Sequence, residues 1–375
     1  MYVGIDAHQR DGRATVLNDT GETVSTARFP TNPKALTQRA ERLPKGSVLA
    51  LEASTVAKRI YWHLKEMDLD VRMAHPLEVC RRAGNKKKTD ALDFFELADL
   101  LRMKRLPEAY VPSPEANERR QVLRYRIDLG KKARLVQNHI PALLVHHGVA
   151  VELSDTFGVE GRSRLDRMKL PSSQRYLLDG RLAQLDLLGR QIEEVEGQLA
   201  ELASTDPAVP KLRTLPGIDF YSAQVILEEI GDITRFPTEK QLSSYAGLVP
   251  RVMQSGTTWR MGHIHKPGPK ALRWILTTCA DSAVKSPGKF QRLFRRGETR
   301  LGKGKAIVAV AHQMIEGICA LLSRGESYSE ERAESTRRKL PRMKELARAD
   351  PVPELARRVG SLPNMATAIL RGGRG

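Results

Sequence analysis

An α/β domain followed by mainly helical segments is the architecture this sequence predicts, and three observations lead there. Residues 2–74 break into short apolar runs bounded by turn pairs and then alternate strand, helix and strand. Strand signals nearly vanish between residues 115 and 204. The length, 375 residues, exceeds the size at which one hydrophobic core usually stops growing.

The first three strands are expected in YVGIDAH, in RATVLND after the turn at Asp11-Gly12, and in TVSTARF after Thr20-Gly21, an antiparallel meander. A helix over 33–42 precedes SVLALEAS, an apolar run suited to a buried strand with Glu52 near its C-terminal end. A helix over 55–67 is marked by Ile60, Leu64 and Met67, and the short strand DVRMA follows it. The basic stretch RRAGNKKKTD then leads into a strong helix, DALDFFELADLLRMK, ending before Pro107. The first domain is expected over 1–112.

A helical segment is expected over 113–205. Leu178, Leu182, Leu185, Ile192, Val195, Leu199 and Leu202 recur at heptad steps, a coiled-coil seam that serves an antiparallel hairpin or a dimer strut. A third domain, 206–323, opens with LRTLPGIDFYSAQVILEEIG. Two helical pieces joined by Leu-Pro-Gly-Ile read as a helix-hairpin-helix-like element offering backbone N–H groups to phosphate, or as a tight helix connection. Residues 243–270 are rich in turn formers and bases and are expected as a loop on a support of two helices, ALRWILTTCADSAV and KAIVAVAHQMIEGICALL. The tail, 324–375, is basic with weak periodicity and is expected to be partly disordered.

A net charge of +18 is far more than solubility requires and points to a polyanionic partner, while 5% aromatic content argues against rows of base-stacking rings. Cys80, Cys279 and Cys319 are too few and too far apart for a disulfide framework or a zinc knuckle. No apolar stretch approaches eighteen residues and the N-terminus lacks a signal pattern, so the expected location is the cytoplasm of a prokaryotic cell, away from membranes.

Four acids carry the candidate chemistry. Asp6 lies in the first strand, Glu52 at the end of a buried strand, and Asp90 and Asp93 at the start of a helix. In an RNase H-like sheet the first strand is central, a later strand pairs beside it and a helix packs across both, which would let these carboxylates converge on Mg²⁺, an ion that demands hard oxygen ligands. Helical spacing back from Leu97 and Leu101 reaches positions 93 and 90 on the inward stripe, where two like charges call for a cation. The alternative for Asp90 and Asp93 is a favourable interaction with the helix dipole behind a Thr89 cap. Glu96 and Asp99 fall on other faces.

Together YVGIDAH, LALEAST, NKKKTDALDFFELADLL, LRTLPGI and SYAGLVPRVMQSG resemble the insertion-sequence transposases that join an N-terminal four-acid domain to a C-terminal transposase domain. The likeness spans roughly residues 1–322. It implies a RuvC-like fold, a divalent metal held by Asp6, Glu52, Asp90 and Asp93, a bridge RNA that pairs with donor and target DNA, and a dimer or tetramer. It also implies that Ser255 in PRVMQSGTTWR is a nucleophile. Independently, Ser255 precedes Gly256 between Arg251 and Arg260, where backbone can approach a phosphate and cations offset its charge; the alternative is an ordinary turn serine. GHIHKPGPKALR departs from its relatives by carrying His265 where a serine often stands, and His263 and His265 are read as structural or phosphate-binding.

The function expected is RNA-guided DNA recombination through a phosphoserine intermediate with Mg²⁺-assisted phosphoryl transfer. Arg81, Arg82, Lys86, Lys87, Lys88, Arg251, Arg260, Lys266, Lys270 and Arg273 are the expected nucleic-acid contacts. Two other readings remain: a RuvC-like nuclease that uses water, and a nucleic-acid-binding regulator without catalysis. An actin-like ATPase is disfavoured because no second glycine-rich phosphate loop accompanies Asp6.

Overall fold

The computed structural model describes residues 1–82, 90–146, 156–255, 258–264, 268–325 and 328, and the chain divides into two compact units at Pro114. The tail beyond Tyr328 and the segment carrying Lys86, Lys87 and Lys88 lie outside the described residues.

The first unit is a five-stranded mixed sheet. Strands β1 (Tyr2–Ala7), β2 (Asp11–Leu17) and β3 (Thr23–Pro30) form the meander, helix α1 (Pro33–Glu41) follows, and β4 (Val48–Glu52), α2 (Ala57–Glu66) and β5 (Asp70–Ala74) complete the alternation. The strand order is β3-β2-β1-β4-β5, with β1 central, antiparallel to β2 and parallel to β4. Alternate residues serve opposite faces. Val3, Ile5, Leu49 and Leu51 pack with Ile60 and Leu64 of α2 and Leu36 and Ala40 of α1. Ala50 and Ala74 pack on the other face with Leu97 and Leu101, which belong to α4 (Asp90–Arg102). A short helix, α3 (Pro76–Arg82), stands between the DVRMA strand and the basic stretch, where the sequence marked no element.

Gly4 explains how α4 lies so close to β1. A Cβ at Gly4 would sit 1.9 Å from the Phe94 carbonyl oxygen and 2.8 Å from the Ala98 nitrogen, so only glycine admits the helix there.

The second unit is built on helices. Two long ones, α5 (Pro114–His146) and α7 (Ser172–Thr205), flank the short α6 (Val159–Arg167). Val136, Ile140 and Leu144 of α5 pack with Leu178 and Leu182 of α7. Arg126 of α5 pairs with Glu196 of α7, its Nε donating at 3.0 Å. Early α5 thus meets late α7, and late α5 meets early α7: an antiparallel hairpin within one chain. Leu178, Leu182, Val195 and Leu199 of the heptad seam are buried, whereas Leu202 is 43% exposed.

Beyond it come α8 (Ala208–Leu212), α9 (Phe220–Ile230), a 3-10 turn at Ile233–Arg235, α10 (Glu239–Tyr245), β6 (Pro250–Ser255), β7 (Thr258–Ile264), α11 (Lys270–Ala283), α12 (Lys289–Leu301) and α13 (Lys303–Arg324). Of the described helices α13 alone is long and apolar enough to cross a membrane, yet Ile307, Val310, Met314, Ile315 and Ile318 are buried in the core beside Leu276 and Phe220. The α9 C-terminus is gripped by α5: Arg120 Nε donates to the Glu228 carbonyl at 2.6 Å, and Arg124 holds the buried Glu229 carboxylate at 2.8 Å.

Candidate functional site

The register of the sheet decides where the first two acids go. Ile5 pairs with Leu51 across β1 and β4, so Asp6 and Glu52 are the next residues along both strands, at their C-terminal edge. Asp6 shares a face with Gly4, and Glu52 shares one with Ala50; Gly4 touches α4 and Ala50 packs with Leu97 and Leu101, so this is the α4 face.

The direction of α4 follows from its far end. Arg102 packs against Gly21 and donates to the Asp19 carbonyl at 3.3 Å, in the turn after β2, where β1 begins. Phe94 lies over Gly4, so α4 runs opposite to β1 and its first turn reaches the edge carrying Asp6. One turn back from Phe94 to Asp90 is about 6 Å, and two strand residues from Gly4 to Asp6 span about 6.6 Å. The backbone of Asp90 is therefore level with Asp6; the side chains of Asp90 and Asp93 lie outside the described residues.

Asp6 is 17% exposed, and His8 Nε2 approaches its Oδ2 at 3.3 Å. Glu52 is half-buried. Carboxylates partly withdrawn from water at a sheet edge, below the positive end of a helix, form a hard oxygen donor set that suits Mg²⁺. Among the described side chains no group of three or more such ligands is gathered, since only Asp6 and Glu52 of the four acids are included. Asp99 is engaged elsewhere, accepting from Arg102 Nε at 2.9 Å and Nη2 at 2.7 Å.

Ser255 is placed differently from expectation. The segment read as a loop is a β-hairpin in which β6 pairs antiparallel with β7, Ser255 opposite Thr258 and Met253 opposite Arg260. The signal was legible: two runs separated by only two residues, the first of them Gly256, favour a two-residue hairpin. Arg251 lies on β6, Arg260 and His263 on β7, all with side chains outside the described set, as are His265 and Lys266 altogether. Lys270 is exposed at the start of α11, and Arg273 one turn on is half-buried, its Nη1 lacking a hydrogen-bond partner among the described residues. Arg81 pairs with Glu78 on α3, and Arg82 ends that helix.

The Leu-Pro-Gly-Ile turn is packed tightly on its apolar side, which fits both of the readings its sequence allowed. Gly217 (φ +82°) packs on α11, where a Cβ would meet the Cys279 carbonyl oxygen at 2.2 Å. Leu215 and Ile218 are buried, and Asp219 caps α9 by accepting from the Phe220 N–H at 2.8 Å. The turn is a packing joint. Two features escaped the sequence reading: His8, although a spacing of two from Asp6 along an extended segment already puts both on one face, and α12, whose Phe290, Leu293, Phe294 and Leu301 carry a helical period beneath many cations.

Residues 3–148 match a model described as a transposase, of the DEDD type found in IS110 elements, and residues 209–295 match the transposase model of the IS116/IS110/IS902 family. These two domains in this order define a class, the insertion-sequence transposases. A putative transposase from Sinorhizobium fredii is 28% identical over 61% of this chain and 56% of its own length. An uncharacterized 43.6 kDa protein of insertion element IS110 from Streptomyces coelicolor is 31% identical over 38% of this chain and 36% of its own length. The matched region thus spans about half of the first relative and about a third of the second. The transposase for insertion sequence element IS1111A from Coxiella burnetii is 26% identical over 76% of this chain and 80% of its own. The chain thus carries transposase domains of the IS110/IS116 family, and relatives it matches are named as insertion-sequence transposases.

Proposed function

We propose that this protein moves an insertion sequence by cutting and rejoining DNA through a phosphoserine intermediate, guided by a structured RNA, in the cytoplasm of a prokaryotic cell. The observation that carries the reading is the meeting of Asp6 and Glu52 at the C-terminal edge of two paired strands, on the face where α4 begins with Asp90. On this reading the first unit, 1–112, is RuvC-like, 113–205 is a helical spacer, and 206–323 presents the serine.

Asp6, Glu52, Asp90 and Asp93 would hold Mg²⁺. The ion would neutralise charge developing on the scissile phosphate. Ser255 Oγ attacks phosphorus, forming an O–P bond as the bond from phosphorus to the neighbouring nucleoside oxygen breaks; the leaving oxygen takes up the proton that the serine loses. The reverse attack by a strand hydroxyl rejoins DNA and regenerates the serine, so no ATP is consumed. Arg251 and Arg260, on the two strands of the hairpin, supply positive charge beside that phosphate, and Lys270 and Arg273 extend it along α11. Arg81, Arg82, Lys86, Lys87, Lys88 and Lys266 are assigned to nucleic-acid backbone. A dimer or tetramer would bring acids and serine together; since four seam residues are buried within the chain, the exposed Tyr176, Leu177, Leu187 and Leu202 of α7 are apolar side chains left for such contact.

The test is to incubate protein, co-purified with its RNA, with labelled DNA from the element's ends and Mg²⁺, and to look for a covalent adduct on denaturing gels. The expected outcome is an adduct lost in Ser255→Ala and, separately, in Asp6→Asn. Cleavage that persists in Ser255→Ala without an adduct would replace this reading with a water-using nuclease. Binding without cleavage would leave a regulator.

A further inference from the structure

Helix α12 and the start of α13 form a cationic surface that the preceding assignment leaves unused. Phe290 is buried, Leu293 and Phe294 pack into the core, and Gly297 lies close to Ala306 of α13, so one side of α12 faces inward. Arg295, Arg296 and Arg300 are exposed on the helix, and Lys303 and Lys305 continue past Gly302 (φ +79°) onto α13. None of these five forms an ion pair among the described residues, whereas Lys132, Arg164 and Arg28 elsewhere are each neutralised by a carboxylate. Five cations against the single carboxylate of Glu298 within eleven residues leave a local excess of positive charge that attracts a polyanion.

We infer that this surface, Arg295, Arg296, Arg300, Lys303 and Lys305, binds the backbone of duplex DNA, resting on the proposal that the protein acts on DNA. Charge complementarity selects a polyanion. The shape of the surface selects a duplex: both phenylalanines of α12 turn inward, leaving no ring on which an unpaired base could stack, and unpaired RNA loops are gripped chiefly by stacking. The stretch from Arg295 to Arg300 rises about 7.5 Å along the axis, close to the separation of successive phosphates on one strand. Such contacts position the duplex without reading its sequence. The matched transposase region ends at residue 295, so most of this surface lies beyond it.

The experiment measures binding of full-length protein to a duplex DNA and to its co-purified RNA across a salt series. Arg295→Gln/Arg296→Gln/Arg300→Gln removes charge from exposed helical positions. Its control, Arg28→Gln/Lys132→Gln/Arg164→Gln, removes the same charge from ion-paired sites, and circular dichroism melts show that both variants fold. If three phosphates are neutralised, the slope of log affinity against log salt falls by about 2.7 and duplex affinity drops about 10- to 100-fold, with a smaller change in the control. An unchanged slope, an equal loss in the control, or a loss confined to the RNA would each overturn the inference. The adduct assay on the same preparations separates this from the broader reading: wild-type adduct with unchanged duplex binding sinks only the α12 surface, and no wild-type binding to DNA at all sinks both.

Discussion

In the sheet unit a glycine lets α4 lie against β1, and in the helical unit a glycine lets the turn before α9 lie against α11. The two joints differ in what surrounds them. Gly4 belongs to a strand, so its neighbours are fixed by a period of two: once Gly4 faces α4, so must Asp6, and the parallel register carries Ala50 and Glu52 onto the same face. Gly217 belongs to a turn whose partners come from far along the chain, and its contact with Cys279 says nothing about the position of any other residue. A strand therefore turns one close contact into a placed pair of carboxylates, while a helical packing joint supplies only rigidity.

Substitution at the two glycines is the sharpest way to break this comparison. Gly4→Ala and Gly217→Ala each force a methyl into backbone, and Gly217 adds a left-handed φ, so each is expected to cost on the order of 3 kcal/mol or more in chemical denaturation. The difference is that Gly4→Ala should also displace α4 from the acid edge, lowering metal-dependent cleavage beyond what the folded fraction explains. Equal loss of cleavage per folded molecule in both variants would refute the distinction. Next in size is the clasp of α5 on α9: Glu229→Ala leaves Arg124 and its surroundings without a buried carboxylate and is expected to cost about 2–4 kcal/mol in the same assay. Since α5 belongs to the second unit, the acid edge should stay active in whatever molecules remain folded.

Two smaller effects test the exposed and buried extremes of each unit. Cys80 is exposed, while Cys279 and Cys319 are buried, with burial pushing the Cys319 thiol up. A thiol reagent on the native protein should therefore modify one cysteine quickly, at the end of the sheet unit, and reach the other two only upon unfolding. The smallest effect concerns Asp11. Its hydrogen bond from Arg28 holds its carboxyl below the ordinary aspartate value. A depressed folded value stabilises the protein above the unfolded one and is lost as pH falls through the folded one. Arg28→Gln should return the Asp11 midpoint, followed by NMR, toward about 3.9.

The same contrast accounts for what the sequence revealed. Strands and acids of the first unit were legible because alternation in YVGIDA and VLALE, and the turn pair Thr20-Gly21, are local signals; Asp11-Gly12, expected as a turn, instead opens β2, paired with β1 and β3. The partner of the leucine seam and the burial of Gly217 depend on residues distant in sequence, which one sequence does not display. Helix α12 was missed for a different reason: its apolar period is carried by four side chains among arginines, and charge obscured the pattern. Ser255 was assigned from the resemblance, and its strand position followed from a two-residue connection that was read as loop because turn formers crowd around it.

The α5–α7 hairpin has a mechanical consequence. Its 33- and 34-residue helices make a rod about 50 Å long, anchored at one end by the arginines that hold α9. A rod so anchored acts as a lever: a tilt of about ten degrees at its base would sweep the far tip through roughly 9 Å, given that length. Small repacking around α9 would therefore emerge, at the distal end near α6, as a displacement larger than the width of a base pair step.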